Sequence, residues 1–446
     1  MPVRPEETTA PEETGRRALL LAVQAQGVSD ADLHRSLDEL RRLAGGLGIE
    51  IVDTIAQKRT KTTATRLFGQ GKLDEIKARV ARAPTPPADG EATPSADPDA
   101  PPPKPDLVLV DTELSPGQQR FLQNTLDVDV LDRTAIILRV FAARARTRVA
   151  RAEIEIARLL YESPRLQDDV DLGTRTGGGG GRGERGHTNA ELARQRIRHR
   201  IAGLRRDIDA ARATEESARA RRADVPVVAL VGYTNAGKSS LMRALTGSDV
   251  FIEDQLFATL GTTVRALQPE TDPRILACDT VGFIENLPHA LIASFRSTLE
   301  EAREADLLLY VVDAADPHRE RQLEVTREVV AELGEATTET KVVFNKVDRL
   351  DPAARAALAE AHPDAILVSA HDPGDVERLT AALVEHFRRD RPRTELRVPY
   401  ARGHLLGEIH AAARVIAERY DEEGTILEVE ADPATLARLT RRLEGR

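Results

Sequence analysis

An unbroken apolar run, VPVVALV at residues 225–231, passes directly into GYTNAGKS at residues 232–239. No other feature restricts the fold as much. A phosphate loop needs a buried strand before it and a helix after it, and that order belongs to an α/β layer built on a mostly parallel sheet. Gly232 and Gly237 permit a loop whose backbone N–H groups all turn inward, so that Gly232, Tyr233, Thr234, Asn235, Ala236, Gly237 and Ser240 outline a cradle for a phosphate chain. Within it Lys238 neutralises the β and γ phosphates and the Ser239 hydroxyl is a magnesium ligand. The following sequence repeats the strand and helix alternation. RILACD, LLLYVVD, KVVFNK and AILVSA read as strands, with helices from Lys238, from Leu291, through Leu323 and near Val384. Continuous apolar strands of this kind are covered by helices on both faces, and their ligands bind at the carboxyl ends of the strands.

A phosphate loop alone does not choose between ATP and GTP. NKVD, Asn345 to Asp348, does so from the end of an apolar strand. The Asp348 carboxylate can accept from guanine N1–H and the 2-amino group, whereas adenine lacks both donors and would leave the carboxylate unpaired. Asn345 and Lys346 complete that segment. Ser369 and Ala370 follow the last strand, where a backbone N–H can meet the guanine O6. DTVG, Asp279 to Gly282, ends the strand RILACD. Asp279 is suited to hold magnesium through water, and Gly282 to offer its N–H to the γ phosphate, so that its position changes when that phosphate leaves. Thr262 and Thr263 lie in a polar loop upstream, and Thr263 is the preferred threonine to close the magnesium shell. Lys238, Thr263, Gly282 and Asn235 are therefore the expected catalytic set.

Phe283 follows Gly282, at the position where many GTPases carry a glutamine that orients the attacking water. Phenylalanine cannot do this, so intrinsic hydrolysis is expected to be slow and to depend on help from elsewhere. Asn235 offers two readings. It holds a potassium ion beside the phosphates, supplying the charge that an arginine finger gives in other enzymes, or it simply tolerates an unusual loop dihedral.

At 446 residues the chain has room for about three domains at roughly 150 residues each. Residues 1–16 read as a disordered tail and 17–145 as a small α/β domain. The latter is interrupted at 84–105, where nine of 22 residues are proline and the segment should be a flexible insertion. Within this domain GQGK, residues 69–72, reads as a loop and helix start. Residues 146–223 carry two helical seams. Val149, Ala152, Ile156 and Leu159 form one, and Ile197, Ile201, Leu204, Ile208 and Ala211 the other, which suggests an antiparallel hairpin with one narrow apolar seam per helix. Its expected tip, 173–187, is rich in Gly and Arg. Residues 224–390 make the nucleotide domain. Residues 391–446 form a small C-terminal α/β module, read as a helix GHLLGEIHAAARVIAERY, a strand TILEVEA and a last helix from Pro433.

Net charge is −10, yet between Arg182 and Arg222 twelve arginines face six acidic residues, a local basic arm suited to RNA. The single cysteine, Cys278, excludes an internal disulfide and any multi-thiolate zinc site. With no apolar run near the roughly 20 residues of a membrane span, and an acidic, Pro-rich start, a cytoplasmic monomer is expected.

GYTNAGKSSL, DQLFATLGTTVR, DTVGFIENLPH and NKVD, preceded by FGQGKLDEI, LDRTAIIL and FAARARTRVARAEIEIARL, resemble the HflX-type ribosome-associated GTPases from about Arg17 to the C-terminus. The resemblance implies GTP hydrolysis with Mg2+ and a nucleotide site made of Gly232, Asn235, Gly237, Lys238, Ser239, Thr263, Asp279, Gly282, Asn345, Lys346 and Asp348. It also implies a large-ribosomal-subunit partner, with the hairpin reaching rRNA, and the splitting or rescue of stalled or idle 70S ribosomes. The chain departs from that family's pattern at Gly261, where an Asp is usual, and at Arg185 to Leu192, which lacks the usual Pro and Glu-Thr-Gln core. Two alternatives stay open. One is a potassium-activated GTPase in tRNA or rRNA modification or maturation. The other is a slow-turnover, GTP-gated rRNA-binding regulator, a reading that Phe283 keeps open.

Overall fold

A computed structural model describes residues 14–59, 66–81, 104–145, 147–166, 189–220, 225–247, 263–280, 282–284, 304–332, 338–389, 392–431 and 433–444. The glycine-rich segment 173–187, Thr262, Val281, the expected helix from Leu291 and nearly all of the Pro-rich insertion lie outside these residues.

The first layer is a four-stranded parallel sheet in the order β2-β1-β3-β4, from β1 (Arg17–Ala25), β2 (Glu50–Arg59), β3 (Leu107–Val110) and β4 (Asp129–Asp132). Its strands alternate between two cores, as period-2 geometry requires. Leu19, Leu21, Val108, Val110 and Val130 face α2 (Gln70–Ala81) and α3 (Pro116–Leu126). Ala18, Leu20, Leu107, Leu109 and Leu131 face α1 (Asp30–Gly45) and α4 (Arg133–Arg144). The helix starts are local: Ser29 with Asp32, and Ser115 with Gln118, form reciprocal capping boxes, and Pro116 presets the first turn of α3.

α5 (Arg148–Glu162) and α6 (Asn189–Ala220) pack together through Ala152, Ile156, Ile201, Leu204 and Ile208, with Val149, Leu159 and Ile197 at the margins. This is the seam the sequence suggests. The expectation of a single seam fails for α5, however, because Ala150, Ile154 and Ala157 bury a second stripe in the core beneath α4. Small and β-branched residues on adjoining faces let α5 be gripped from two sides, which makes it a structural part of the first layer.

The second sheet has six strands in the order β10-β9-β8-β5-β7-β6. These are β5 (Val227–Gly232), β6 (Thr263–Ala266), β7 (Leu276–Asp279), β8 (Leu307–Asp313), β9 (Glu339–Asn345) and β10 (Ile366–Leu367). All pairings are parallel except β6 with β7. Val228, Leu230, Leu307, Leu309, Val311 and Val343 face α7 (Lys238–Thr246) and a helix we call α10 (Pro373–Arg389). Ala229, Val231, Leu308, Tyr310, Val312 and Phe344 face α8 (Arg319–Glu332) and α9 (Pro352–Ala361), and belong to the same continuous core as α1, α4 and α5. The sheet is thus an α/β fold with helices on both faces, one of them shared with the first layer. Thr263 is not in a loop: it opens β6, with its Cα opposite that of Asp279, because a short antiparallel pair carries the chain back along β7.

The C-terminal residues form a three-stranded antiparallel sheet, β11 (Arg393–Pro399), β13 (Gly424–Glu430) and β12 (Arg414–Tyr420), under α11 (Leu405–Ala412) and α12 (Pro433–Glu444). The expected long helix ends at Ala412, and RVIAERY is a strand. Register with β13 along Arg414–Tyr420 outweighs the local helix propensity of Ala, Glu and Arg. β11 gives no strand signal in the sequence either, since its charged RTELRVP hides an alternation in which only Leu396 and Val398 are buried.

Candidate functional site

The elements that sequence reasoning singles out meet at the carboxyl ends of β5, β7, β8, β9 and β10. Gly232 ends β5 so tightly against β8 that a Cβ would lie 2.2 Å from the Val311 carbonyl oxygen. Gly237 (φ +90°) occupies the left-handed region, and a Cβ there would meet Asn345 Nδ2 at 2.2 Å. Both glycines are therefore demanded by close backbone approach, one to a strand and the other to the NKVD segment.

The NKVD side chains organise the loop by capturing its carbonyls. Asn345, buried to 1% exposure, donates through Nδ2 to Ala236 O at 3.0 Å and Gly237 O at 3.5 Å, and its Oδ1 accepts from Ala370 N–H at 3.1 Å. Lys346 Nζ donates to Asn235 O at 2.5 Å and to Asp313 Oδ2 at 2.7 Å. Lys238, which is buried, donates through Nζ to Gly232 O and Tyr233 O at 3.0 Å each. With five consecutive or nearly consecutive carbonyls turned towards cations or an amide, much of the loop's N–H surface faces the other way, which is the electrostatic requirement of an anion nest. The expectation that every N–H turns inward is too broad, because Thr234 N–H donates to Phe283 O at 2.7 Å and Ala236 N–H to Tyr233 O at 3.3 Å.

Asp279 and Ser239 are brought together, the serine hydroxyl donating to Asp279 Oδ2 at 3.1 Å. Ser240 follows, half-buried, in the first turn of α7. Burial is the main reason that the Lys238 amine is pushed down to about 8; Asp279 opposes the shift and Lys346 adds to it. Gly282 sits against this cluster, where a Cβ would lie 2.9 Å from Thr234 Cγ2 and 3.0 Å from Lys238 Nζ. Phe283 is buried to 1% exposure and bridges to the loop, its N–H donating to Gly232 O at 3.1 Å. Asn235 has φ +61°, so it does adopt the unusual dihedral that is one of its two readings.

Asp348 is exposed beside the loop after β10. A hydrogen bond from Ser369 is the largest reason that its carboxyl is held below the usual range. Ser369 is fixed in turn, its N–H donating to Asp375 Oδ2 at 2.8 Å. Asp313 and Asp375 are supporting residues that sequence reasoning missed. Asp313 carried a signal, being the acid that ends the buried strand LLLYVVD in register with Asn345. Asp375, near the start of α10, carried none. No helix among the described residues is long and apolar enough to cross a membrane.

Comparison with known proteins bears on the whole chain. Residues 34–142 match the family described as "GTP-binding GTPase N-terminal", 144–222 the "GTP-binding GTPase Middle Region" and 227–346 the "50S ribosome-binding GTPase". A GTPase HflX of Gluconacetobacter diazotrophicus is 50% identical, with 96% of this chain and 98% of that one covered. One of Magnetococcus marinus is 39% identical, covering 96% and 95%. Among solved structures, "SsGBP and GDP complex" aligns at 21% identity and a TM-score of 0.44, over 83% of this chain and 99% of that one. A phosphate loop set on a doubly covered sheet, together with half the residues shared along almost the full length of a curated relative, shows that the chain belongs to the HflX family of GTPases: it binds and hydrolyses GTP.

Proposed function

We propose that this GTPase is a factor for the large ribosomal subunit, binding it in the GTP state and splitting or rescuing stalled or idle 70S ribosomes. The observation that carries this reading is the match of residues 227–346 to a family described as 50S ribosome-binding GTPases, on a chain that also holds a basic arm. Arg196, Arg198, Arg205 and Arg206 stand exposed on α6, away from the seam with α5. Such a face gains affinity for rRNA phosphates by releasing counterions.

In this reading Gly232 to Ser240 cradle the phosphates, Lys238 bridges the β and γ phosphates, and Asn345, Lys346, Asp348, Ser369 and Ala370 hold the guanine. Ser239, Thr263 and Asp279 are the donor set for Mg2+, and the 3.1 Å approach of the Ser239 hydroxyl to Asp279 suits one small oxygen-ligated cation. The ion would offset charge on the β and γ phosphates. Gly282 senses the γ phosphate. Asn235 stands at φ +61°, and in the other of its two readings its side chain would hold a potassium ion beside the phosphates.

Sedimentation of 70S ribosomes and subunits with the protein at fixed salt and magnesium tests the proposal. Splitting, with the protein retained on the large subunit in a non-hydrolysable GTP analogue and not in GDP, is the expected result. Equal binding in both states, or none in either, refutes it. Burial of Phe283 favours the slow-turnover regulator as a second reading, since its backbone is tied to the loop and its side chain has no group to orient water. Multiple turnover that large subunits leave unaccelerated would support the regulator over the splitting factor.

Lys238 gives a pH test of the phosphate assignment. An amine pushed down to about 8 by burial is largely protonated at pH 7 and largely neutral at pH 9. Phosphate favours the charged form and raises the value again on binding. Nucleotide binding thus takes up a proton above pH 8, and GDP affinity is expected to fall about ten-fold between pH 7 and pH 9. Titration calorimetry in buffers of different ionisation enthalpy measures both affinity and proton uptake. A flat affinity with no proton uptake would remove Lys238 from the phosphate contact.

A further inference from the structure

The phosphate loop is anchored from outside its own sheet. Tyr233, the second residue of the loop, donates its hydroxyl hydrogen to Glu39 Oε1 on α1, 194 positions earlier in the chain. Glu39 Oε2 accepts from Arg133 Nη2 at the start of α4, and Arg133 Nη1 donates to Asp111 Oδ1 at 2.8 Å. The side chains of Glu39, Arg133 and Asp111 are 3–4% exposed. Burial pushes the Arg133 guanidinium down, but Glu39 and then Asp111 push it up by more, so the group stays charged.

Taking charges out of water is costly, and an apolar cluster of the same volume often fills such a space with no loss of stability. Glu39 is the charged member of a helix face otherwise made of Leu37, Leu40, Leu43 and Ala44. What the polar cluster adds is direction. The Tyr233 ring is held at its hydroxyl by Glu39, while the Tyr233 carbonyl, on the same residue, accepts from Lys238 Nζ at 3.0 Å. The residues on either side of Tyr233 pair with the Phe283 backbone, Gly232 as acceptor and Thr234 as donor. Tyr233 thus links the first layer to the loop lysine, its side chain reaching one and its carbonyl the other, and the backbones of its two neighbours carry the link to Phe283, next to the DTVG segment.

We propose that Glu39, held by Arg133, is a positioning residue for the nucleotide: through the Tyr233 hydroxyl it sets the loop conformation in which Lys238 meets the phosphates. Glu39 and Arg133 bond to each other and to Tyr233, Asp111 and Ser36, none of them a residue assigned to the base, so their effect falls on the phosphates shared by GDP and GTP.

The test uses the full chain with Tyr233→Phe, Glu39→Gln and the double variant, reading Kd for GDP and for a non-hydrolysable GTP analogue by fluorescence titration, and the thermal midpoint without nucleotide. Tyr233→Phe removes one hydroxyl and leaves the Glu39–Arg133 pair intact, so it keeps the test open if Glu39→Gln does not fold. Tyr233→Phe is expected to raise both Kd values about ten-fold, as loss of a hydrogen bond to a charged group does; Glu39→Gln, whose amide oxygen can still accept from the tyrosine, raises them by less, and the double variant no further than Tyr233→Phe. A lower thermal midpoint with unchanged Kd values for Tyr233→Phe would make the cluster interlayer adhesive only and overturn the proposal. Effects that multiply in the double variant would overturn it too, by showing that Glu39 does not act through Tyr233.

Discussion

Gly237→Ala is expected to raise the Kd for GDP about a hundred-fold or more, through displacement of a residue that does not itself reach the phosphates. A real Cβ is not found nearer than 3.0 Å to a heavy atom, and here it would stand 2.2 Å from Asn345 Nδ2. Asn345 has nowhere to retreat, since its amide is held at one end by Ala236 O and at the other by the Ala370 N–H. Pushing it aside leaves buried polar groups unpaired at a cost of about 1–3 kcal/mol. Holding alanine at φ +90° adds roughly 1–2 kcal/mol. At 1.4 kcal/mol per factor of ten, these terms together reach about a hundred-fold. Gly407→Ala is the control. That glycine lies inside α11 with no atom within 4 Å of a built Cβ, so its replacement should leave nucleotide affinity unchanged. A Gly237→Ala protein that binds GDP within a few-fold of the parent would show that Asn345 does not fix the loop.

How much of this was legible beforehand follows from the range of the interactions. The strand entering GYTNAGKS, the buried strands after it and the NKVD segment are local patterns, and local patterns survive in a linear reading. The α5–α6 seam is legible for the same reason, because Ala152 and Ile156 face Ile201 and Leu204 at helical spacing. The second buried stripe of α5 was hidden by its ordinary residues: Ala150, Ile154 and Ala157 give no sign of which partner covers them. RVIAERY misled because the pairing with β13 that makes it a strand is tertiary. Thr263 reads as loop in the sequence because a four-residue strand is too short to show a period. Glu39 is the clearest case. A carboxylate among leucines on an amphipathic helix is a visible anomaly, yet its partners, Arg133 and Tyr233, lie 94 and 194 positions away.

Asp348→Asn is expected to reduce the preference for GTP over XTP about ten-thousand-fold, the scale on which a site built around a substrate's hydrogen bonds rejects an analogue lacking them. The argument begins with the carboxylate's surroundings. Asp348 is exposed at the end of the NKVD segment, its charge favoured by the Ser369 hydroxyl, and Ser369 is pinned through its own N–H to Asp375 at 2.8 Å. An ionised carboxylate so placed is acceptor-only, matching two adjacent N–H donors on one edge of guanine. An asparagine in the same place presents one acceptor and one donor. The donor opposes the 2-amino group of guanine and suits the carbonyl oxygen that replaces it in xanthine. The neighbouring contacts of Asn345 and Lys346 run to the phosphate loop and do not pass through Asp348, so loop geometry should survive the change. The measurement is competition of GTP, XTP and ATP for the fluorescent nucleotide, with hydrolysis of GTP and XTP followed in parallel. XTP turnover near the parent's GTP turnover, with GTP binding nearly lost, would place the base on Asp348. A variant still selective for GTP would put base recognition elsewhere in the site and leave the phosphate assignment, tested separately at Gly237 and Lys238, standing.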